Sequence, residues 1–184
     1  MDIEISEEPL TSLRAYARVP IAFEVRSVLD VVSLAERTLE VPYVKDFESP
    51  TQWARSFDLS NWGLIAARSR GLRVGGAVIA LKTPGVTMLE DRKDLAVLWD
   101  IRVAPEVRGK GVGSALFRAV EAWATARGCR QLKVKTQNNN VAACRFYQRQ
   151  GCVLGGVHPS VYPELPSEVQ LLWYKDLLAL RAQR

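Results

Sequence analysis

Histidine occurs once in the 184 residues, at His158, and cysteine three times, at Cys129, Cys144 and Cys152, with no CxxC spacing. Zinc sites draw on several such ligands at close spacing and disulfide frameworks on paired cysteines, so no metal and no disulfide is expected. The cysteines read as small buried filler. Long apolar runs are missing too: VGGAVIAL is far short of the roughly 20 residues that span a bilayer. The opening MDIEISEEPL has neither a basic start nor an apolar centre, so no secretory signal is expected. Repeats, low-complexity segments and basic tails are absent. These absences lead to the expectation of a soluble, cytoplasmic protein with no membrane partner. The length fits a single domain over 1–184 with one buried core.

The formal net charge is +5, and its placement is uneven. Residues 102–135 hold eight cations against Glu106 and Glu121, while the remainder of the chain sums to −1. A local excess suits a pocket for one polyanionic small molecule. Nucleic-acid tracks more often show stripes or tails with interleaved aromatics, so nucleic acid is not expected as a partner.

Along the chain, Val25, Val28, Leu29, Val32 and Leu39 recur among charges and predict a helix over 24–39. Residues 41–62 mix Pro, Ser, Asp and five aromatics and read as a loop or short helix. WGLIAAR and LRVGGAVIAL read as two strands joined at SRG, and LAVLWDIRV as a central strand interrupted only by Asp100 and Arg102. From Val112 the apolar positions 115, 116, 119, 120, 123 and 124 trace one face of a helix, with Gly128 as its left-handed cap. QLKVKT is a strand, VAACRFYQRQ a helix ending at Gly151, and CVLGGV and EVQLLWY strands around a Pro-rich loop. The class is α/β, with one mixed sheet and helices on its faces.

The strand-to-helix junction reads VRGKGVGS, residues 107–114. A helix start offers unpartnered N–H groups and the positive end of its dipole. Phosphate oxygens complement both, and glycines let them approach. The Walker pattern fails because Lys110 is followed by Gly111, and the dinucleotide fingerprint fails on spacing. What remains is R-x-x-G-x-G, carried by Arg108, Gly111 and Gly113. A second pattern, N-x-x-A-x-x-x-Y before a glycine, is carried by Asn140, Ala143, Tyr147 and Gly151.

Together these two motifs resemble the GNAT family of N-acetyltransferases, over about residues 63–175. WDIRV, LKVKTQNNNVAACRFYQRQGC and EVQLLWYKDL are similar to the streptothricin acetyltransferases within it, which acetylate the β-lysine amine of an antibiotic. The resemblance implies a single mixed, mostly antiparallel sheet flanked by helices, and acetyl-CoA as cosubstrate. It implies that the main chain of Arg108, Gly109, Lys110, Gly111, Val112, Gly113 and Ser114 holds the diphosphate. Ile101, Arg102 and Val103 would pair with the pantetheine arm through main-chain atoms. Asn140, with Asn138 and Asn139 as rivals, would bond the same arm, and Tyr147 would protonate the departing thiolate.

A lysine-like acceptor amine is almost wholly protonated at neutral pH, a penalty of roughly 4.6 kcal/mol for a pKa near 10.4. Asp100, inside an apolar strand, is the candidate base and substrate contact, with an ion pair to Arg102 as the structural alternative. Glu164 and Glu168 are candidates for drawing in a cationic acceptor, or else solvated surface charge. Tyr43, Trp53, Phe57 and Trp62 either wall an acceptor pocket or close the core. A Cys144–His158 acyl-cysteine pathway is disfavoured because Cys144 sits inside the second motif. The expected activity is direct transfer from acetyl-CoA to a primary amine in a ternary complex. Protein lysine or N-terminal acetylation is the alternative within the class, a catalytically inactive CoA-binding module the alternative outside it, and a homodimer is left open.

Overall fold

The computed structural model describes residues 2–33, 35–165 and 167–177. In chain order these form β1 (Glu4–Glu8), α1 (Leu13–Tyr16), β2 (Phe23–Leu29), β3 (Glu36–Lys45), α2 (Trp53–Ser56), β4 (Gly63–Ser69), β5 (Leu72–Leu81), β6 (Leu95–Val103), α3 (Val112–Ala126), β7 (Gln131–Gln137), α4 (Val141–Arg149), β8 (Val153–His158) and β9 (Gln170–Asp176). The chain packs as two compact units. One combines residues up to Ile21, Phe47–Leu132 and the chain from Asp176; the other combines Ala22–Asp46 and Lys133–Lys175.

In the first unit β1, β4, β5 and β6 form a run of antiparallel strands in that order. The β4–β5 hairpin closes on Arg70 and Gly71, both at positive φ (51° and 77°), the type I′ geometry whose twist matches the strands. β1, which the sequence pattern did not announce, is held on β4 through Glu8. Its carboxylate accepts from Arg68 Nε at 3.1 Å and Nη2 at 2.8 Å, and also pairs with Arg73. Burial works to raise the Glu8 pKa, but the hydrogen bonds and charges of Arg68 and Arg73 outweigh it and hold the carboxyl below its ordinary range.

α3 lies against β4, β5 and β6. Its inward face is the predicted one: Val112, Leu116, Val120, Trp123 and Ala124 are buried. Each large side chain so removed from water contributes about 1.5–3 kcal/mol. Gly63 is required for this packing, because a Cβ there would sit 2.5 Å from the Trp123 ring. The helix ends in a Schellman motif, Cys129 N–H bonding Ala124 O at 3.0 Å and Gly128 N–H bonding Thr125 O at 3.1 Å. Another part of this core holds Leu13, Tyr16, Trp53, Trp62 and Leu64. Phe57 stacks on Trp62 at 5.9 Å, Trp53 meets it tilted at 6.2 Å, and Trp62 donates to Thr83 Oγ1 at 2.8 Å. These aromatics close the core.

In the second unit the helix predicted over 24–39 is replaced by the antiparallel β2–β3 hairpin. The cause of the misreading is a register shift between Val25 and Ser27. There one residue of β2 lies opposite four of β3, and Val25, Val28 and Leu29 are all buried, at a spacing that imitates a helix face. Val32, counted in that apolar stripe, is exposed in the turn, which Asp30 organises by accepting from Val32 N and Ser33 N at 3.1 and 2.7 Å. β7, β9 and β8 follow in that order, β8 and β9 antiparallel, with Trp173 of β9 donating to Thr136 of β7 at 2.9 Å. α4 also ends in a Schellman pair, Cys152 N–H bonding Tyr147 O and Gly151 N–H bonding Gln148 O, each at 3.0 Å.

Candidate active site

β6 runs into the glycine-rich turn with one irregularity. Val78 pairs with Asp100 and Ile79 with Leu98, so Trp99 is an extra residue bulged out of register. Ile101, Arg102 and Val103 pair regularly with Ala77, Gly76 and Gly75. A short 3-10 turn, Pro105–Val107, then lifts the chain away from the sheet. Gly109 and Gly111 take φ of 73° and 85°, which side chains rarely tolerate, and α3 begins at Val112.

Arg108, Gly109, Lys110 and Gly111 are exposed, and nothing lies within 4 Å of where a Cβ on either of these glycines would stand. Arg108 Nε donates to Val103 O at 3.0 Å and Lys110 Nζ to Glu106 O at 2.9 Å, so both cations are drawn in beside the turn. An open, cationic turn at the start of a 15-residue helix is shaped and charged for a diphosphate. Gly113 and Ser114 fall in the helix's first turn, as expected.

Asp100 is not an accessible base. Its side chain is 6% exposed and that of Arg102 is 4% exposed. Arg102 Nε donates to Oδ1 at 3.0 Å and Nη2 to Oδ2 at 2.8 Å, while the Tyr16 hydroxyl donates to Oδ1 at 2.7 Å. Arg102 Nη1 reaches Val19 O at 3.3 Å, and its guanidinium lies 5.3 Å from the Tyr16 ring centroid. Both carboxylate oxygens are thereby committed. Burial opposes the charge on Arg102, but the hydrogen bond and charge of Asp100 outweigh it, and its pKa stands above the ordinary value. Burial, and then the Asp100 charge, push Tyr16 well above the ordinary phenol range. The ion-pair alternative is present, and it engages the carboxylate expected to act as base and substrate contact. Tyr16 had no recognisable motif.

In the second unit the three consecutive asparagines do three different things. Asn140 caps α4, its Oδ1 accepting from Ala143 N at 3.1 Å. Asn138 is buried and fastens three segments: its Oδ1 accepts from Val169 N at 2.9 Å, its Nδ2 donates to Leu29 O at 3.3 Å, and its main-chain oxygen accepts from Leu29 N at 2.9 Å. Asn139 donates through Nδ2 to Tyr43 Oη at 2.8 Å and to Glu168 Oε1 at 2.9 Å. Glu168 also pairs with Lys45. The structure therefore joins two of the residues expected on the acceptor side, Tyr43 and Glu168, through a third. Glu164 is exposed on the loop before them.

Tyr147, on α4 one turn beyond Ala143, is 4% exposed and meets Phe146 edge to face at 5.2 Å. Cys144 is buried against Thr136 Oγ1 at 3.4 Å, and burial raises its thiol pKa, which suits packing and not nucleophilic chemistry. Cys129 and Cys152 are buried as well. Among the described residues no group of three or more His, Cys, Asp or Glu could hold a metal, and no helix is long and apolar enough to cross a membrane.

A mostly antiparallel sheet with helices on it, and an open glycine turn between its bulged strand and a long helix, define an acyltransferase-type fold. Residues 30–152 match the Acetyltransferase (GNAT) family, and the chain belongs to that family. It is 37% identical over 84 residues to the streptothricin acetyltransferase of Escherichia coli, covering 44% of this chain and 48% of that one. It is 36% identical over 81 residues to streptothricin acetyltransferase A of Bacillus subtilis (strain 168), covering 43% and 47%. The matched stretch thus spans about half the length of these curated relatives. A solved structure of a Bacillus anthracis protein assigned to the streptothricin acetyltransferases, in complex with acetyl coenzyme A, superposes with a TM-score of 0.75 at 26% identity over 96% of this chain and 99% of that one.

Proposed function

We propose that the protein is an acetyl-CoA-dependent N-acetyltransferase that transfers the acetyl group directly to a primary amine in a ternary complex. The observation that carries this reading is the exposed turn from Arg108 to Gly111 at the head of α3, with two glycines at positive φ and two cations beside it. Amides from Arg108 to Ser114 hold the diphosphate, and the main chain of Ile101–Val103 holds the pantetheine arm. The cosubstrate supplies an activated acetyl thioester. Tyr147 keeps a proton on its hydroxyl for the departing thiolate. Asn140 serves mainly as the cap that fixes the start of α4, and through it the position of Tyr147. With Asp100 committed to Arg102 and Tyr16, the acceptor's proton leaves to water.

The acceptor is a small cationic amine, with the β-lysine amine of streptothricin as the leading candidate. The support is the naming of the curated relatives and the polar cluster in which Asn139 bonds both Tyr43 and Glu168. Release of coenzyme A is followed with a panel of streptothricin, polyamines and peptides with free N-termini or lysines. Turnover of streptothricin well above the others supports the reading, and preference for peptides moves the function to protein acetylation. Acetyl-CoA binding by calorimetry with no thiol release for any amine would leave a CoA-binding module instead.

A further inference from the structure

The cluster around Glu168 contains a cation the sequence did not point to, and an acceptor atom with nothing to accept. Glu168 and Asn139 are each 3% exposed. A carboxylate so far from water needs a positive partner, and Lys45 provides it. Lys45 is the last residue of β3, and its side chain is 14% exposed.

Asn139 is only half used. Its Nδ2 donates to Glu168 and to Tyr43, whereas its buried Oδ1 has no hydrogen-bond partner. The Lys45 ammonium reaches Glu168 but not this oxygen. The missing element is an N–H or O–H donor beside a carboxylate. An alkylammonium has three donors and a positive charge, and it can bond Glu168 and Asn139 Oδ1 together. Tyr43, 39% exposed, stands where the cluster meets water.

Resting on the acetyltransferase reading above, we propose that Glu168 and Asn139 form the subsite for a protonated amino group of the acceptor. Lys45 fills this subsite in the free protein and gives it up when the acceptor binds. The exchange is like for like. Glu168 never loses its counter-ion, the Lys45 ammonium regains full hydration on a flexible stem, and the incoming group gains the bond to Asn139 that Lys45 does not make. The site therefore selects acceptors with a long-stemmed ammonium over neutral ones.

The test separates this proposal from the catalytic reading. Lys45→Ala vacates the subsite and lowers the melting temperature. Millimolar n-pentylamine at neutral pH, where it is an ammonium, raises that temperature again. Tetramethylammonium chloride, which has no N–H, does not, and neither salt changes Lys45→Ala/Glu168→Gln. So that the result does not depend on how well Lys45→Ala folds, the wild-type protein labelled with [ε-13C]lysine is titrated with n-pentylamine in parallel. The Lys45 resonance, assigned with Lys45→Arg, moves to the position of solvated lysine.

In the amine panel, Lys45→Met lowers KM for the cationic acceptor several-fold and leaves KM for acetyl-CoA unchanged. A Lys45 resonance unmoved by n-pentylamine, or a Lys45→Met enzyme with raised acceptor KM, overturns the proposal even if thiol release is brisk. Rescue by n-pentylamine with no thiol release for any amine keeps the subsite and rejects the catalytic reading.

Discussion

Asp100 and Arg102, two residues apart on β6, face each other as a buried ion pair, Arg102 Nη2 lying 2.8 Å from Asp100 Oδ2. The Tyr16 hydroxyl completes the shell of the same carboxylate. Removing one partner from such a pair strands the other in a medium that cannot solvate it, at a cost of about 3–5 kcal/mol. Asp100→Ala is therefore expected to lower the melting temperature by many degrees in thermal denaturation, while Tyr16→Phe, which removes one donor, costs about 1–3 kcal/mol.

The same commitment sets the pH profile. In the proposed mechanism, with Asp100 engaged by Arg102 and Tyr16, the reactive neutral amine is supplied by the solution equilibrium alone. For an amine of pKa near 10.4, log kcat/KM is expected to rise by about one per pH unit between roughly pH 6 and 9. A plateau starting near neutrality in steady-state assays would reveal a base within the protein.

Tyr147→Phe keeps the ring on α4 and removes the hydroxyl, with the proton proposed for the thiolate. The expected outcome is a fall of about 10²-fold or more in kcat, the usual range for loss of a general acid. KM for acetyl-CoA and the melting temperature stay close to wild type. An unchanged kcat would take the acid role from this residue.

Gly111→Ala meets no atom within 4 Å, so its cost is conformational: φ is 85° there. About 1–2 kcal/mol of strain is expected, expressed as a raised Kd for acetyl-CoA in calorimetry if the turn relaxes, or as lost stability if it does not.

Glu8 links pH to folding. Its folded pKa is depressed, so its contribution is present above the unfolded-state pKa and is lost as pH falls through the folded value. Glu8→Gln should be less stable than wild type by about 1–3 kcal/mol at neutral pH. In urea titrations at decreasing pH the two proteins should converge below about pH 4.

The elements that carry the cosubstrate motifs were legible because each followed its own period. The apolar face of α3 repeats at helical spacing, and LAVLWDIRV is an apolar run interrupted only by Asp100 and Arg102. The hairpin of β2 and β3 was hidden by its irregular register, around which Val25, Val28 and Leu29 are all buried at a spacing proper to a helix. Lys45 was concealed by a second misreading, that of 41–62 as a loop or short helix, since β3 runs on to Lys45. On a strand, positions 43 and 45 share a face, so a strand reading would have set Lys45 beside Tyr43. Tyr16 left no trace, since a tyrosine on a four-residue helix meets Asp100 only through a contact 84 positions away in the chain.

The run Gln137–Asn140 packs a strand end, a clasp, a polar contact and a helix cap into four successive residues. Inserting or deleting one residue here would shift each asparagine into its neighbour's place, so that the cap would face Glu168 and the clasp on Leu29 and Val169 would open. Length at this point is thus as constrained as identity, because the run passes directly from β7 into α4 with no loop to absorb a change.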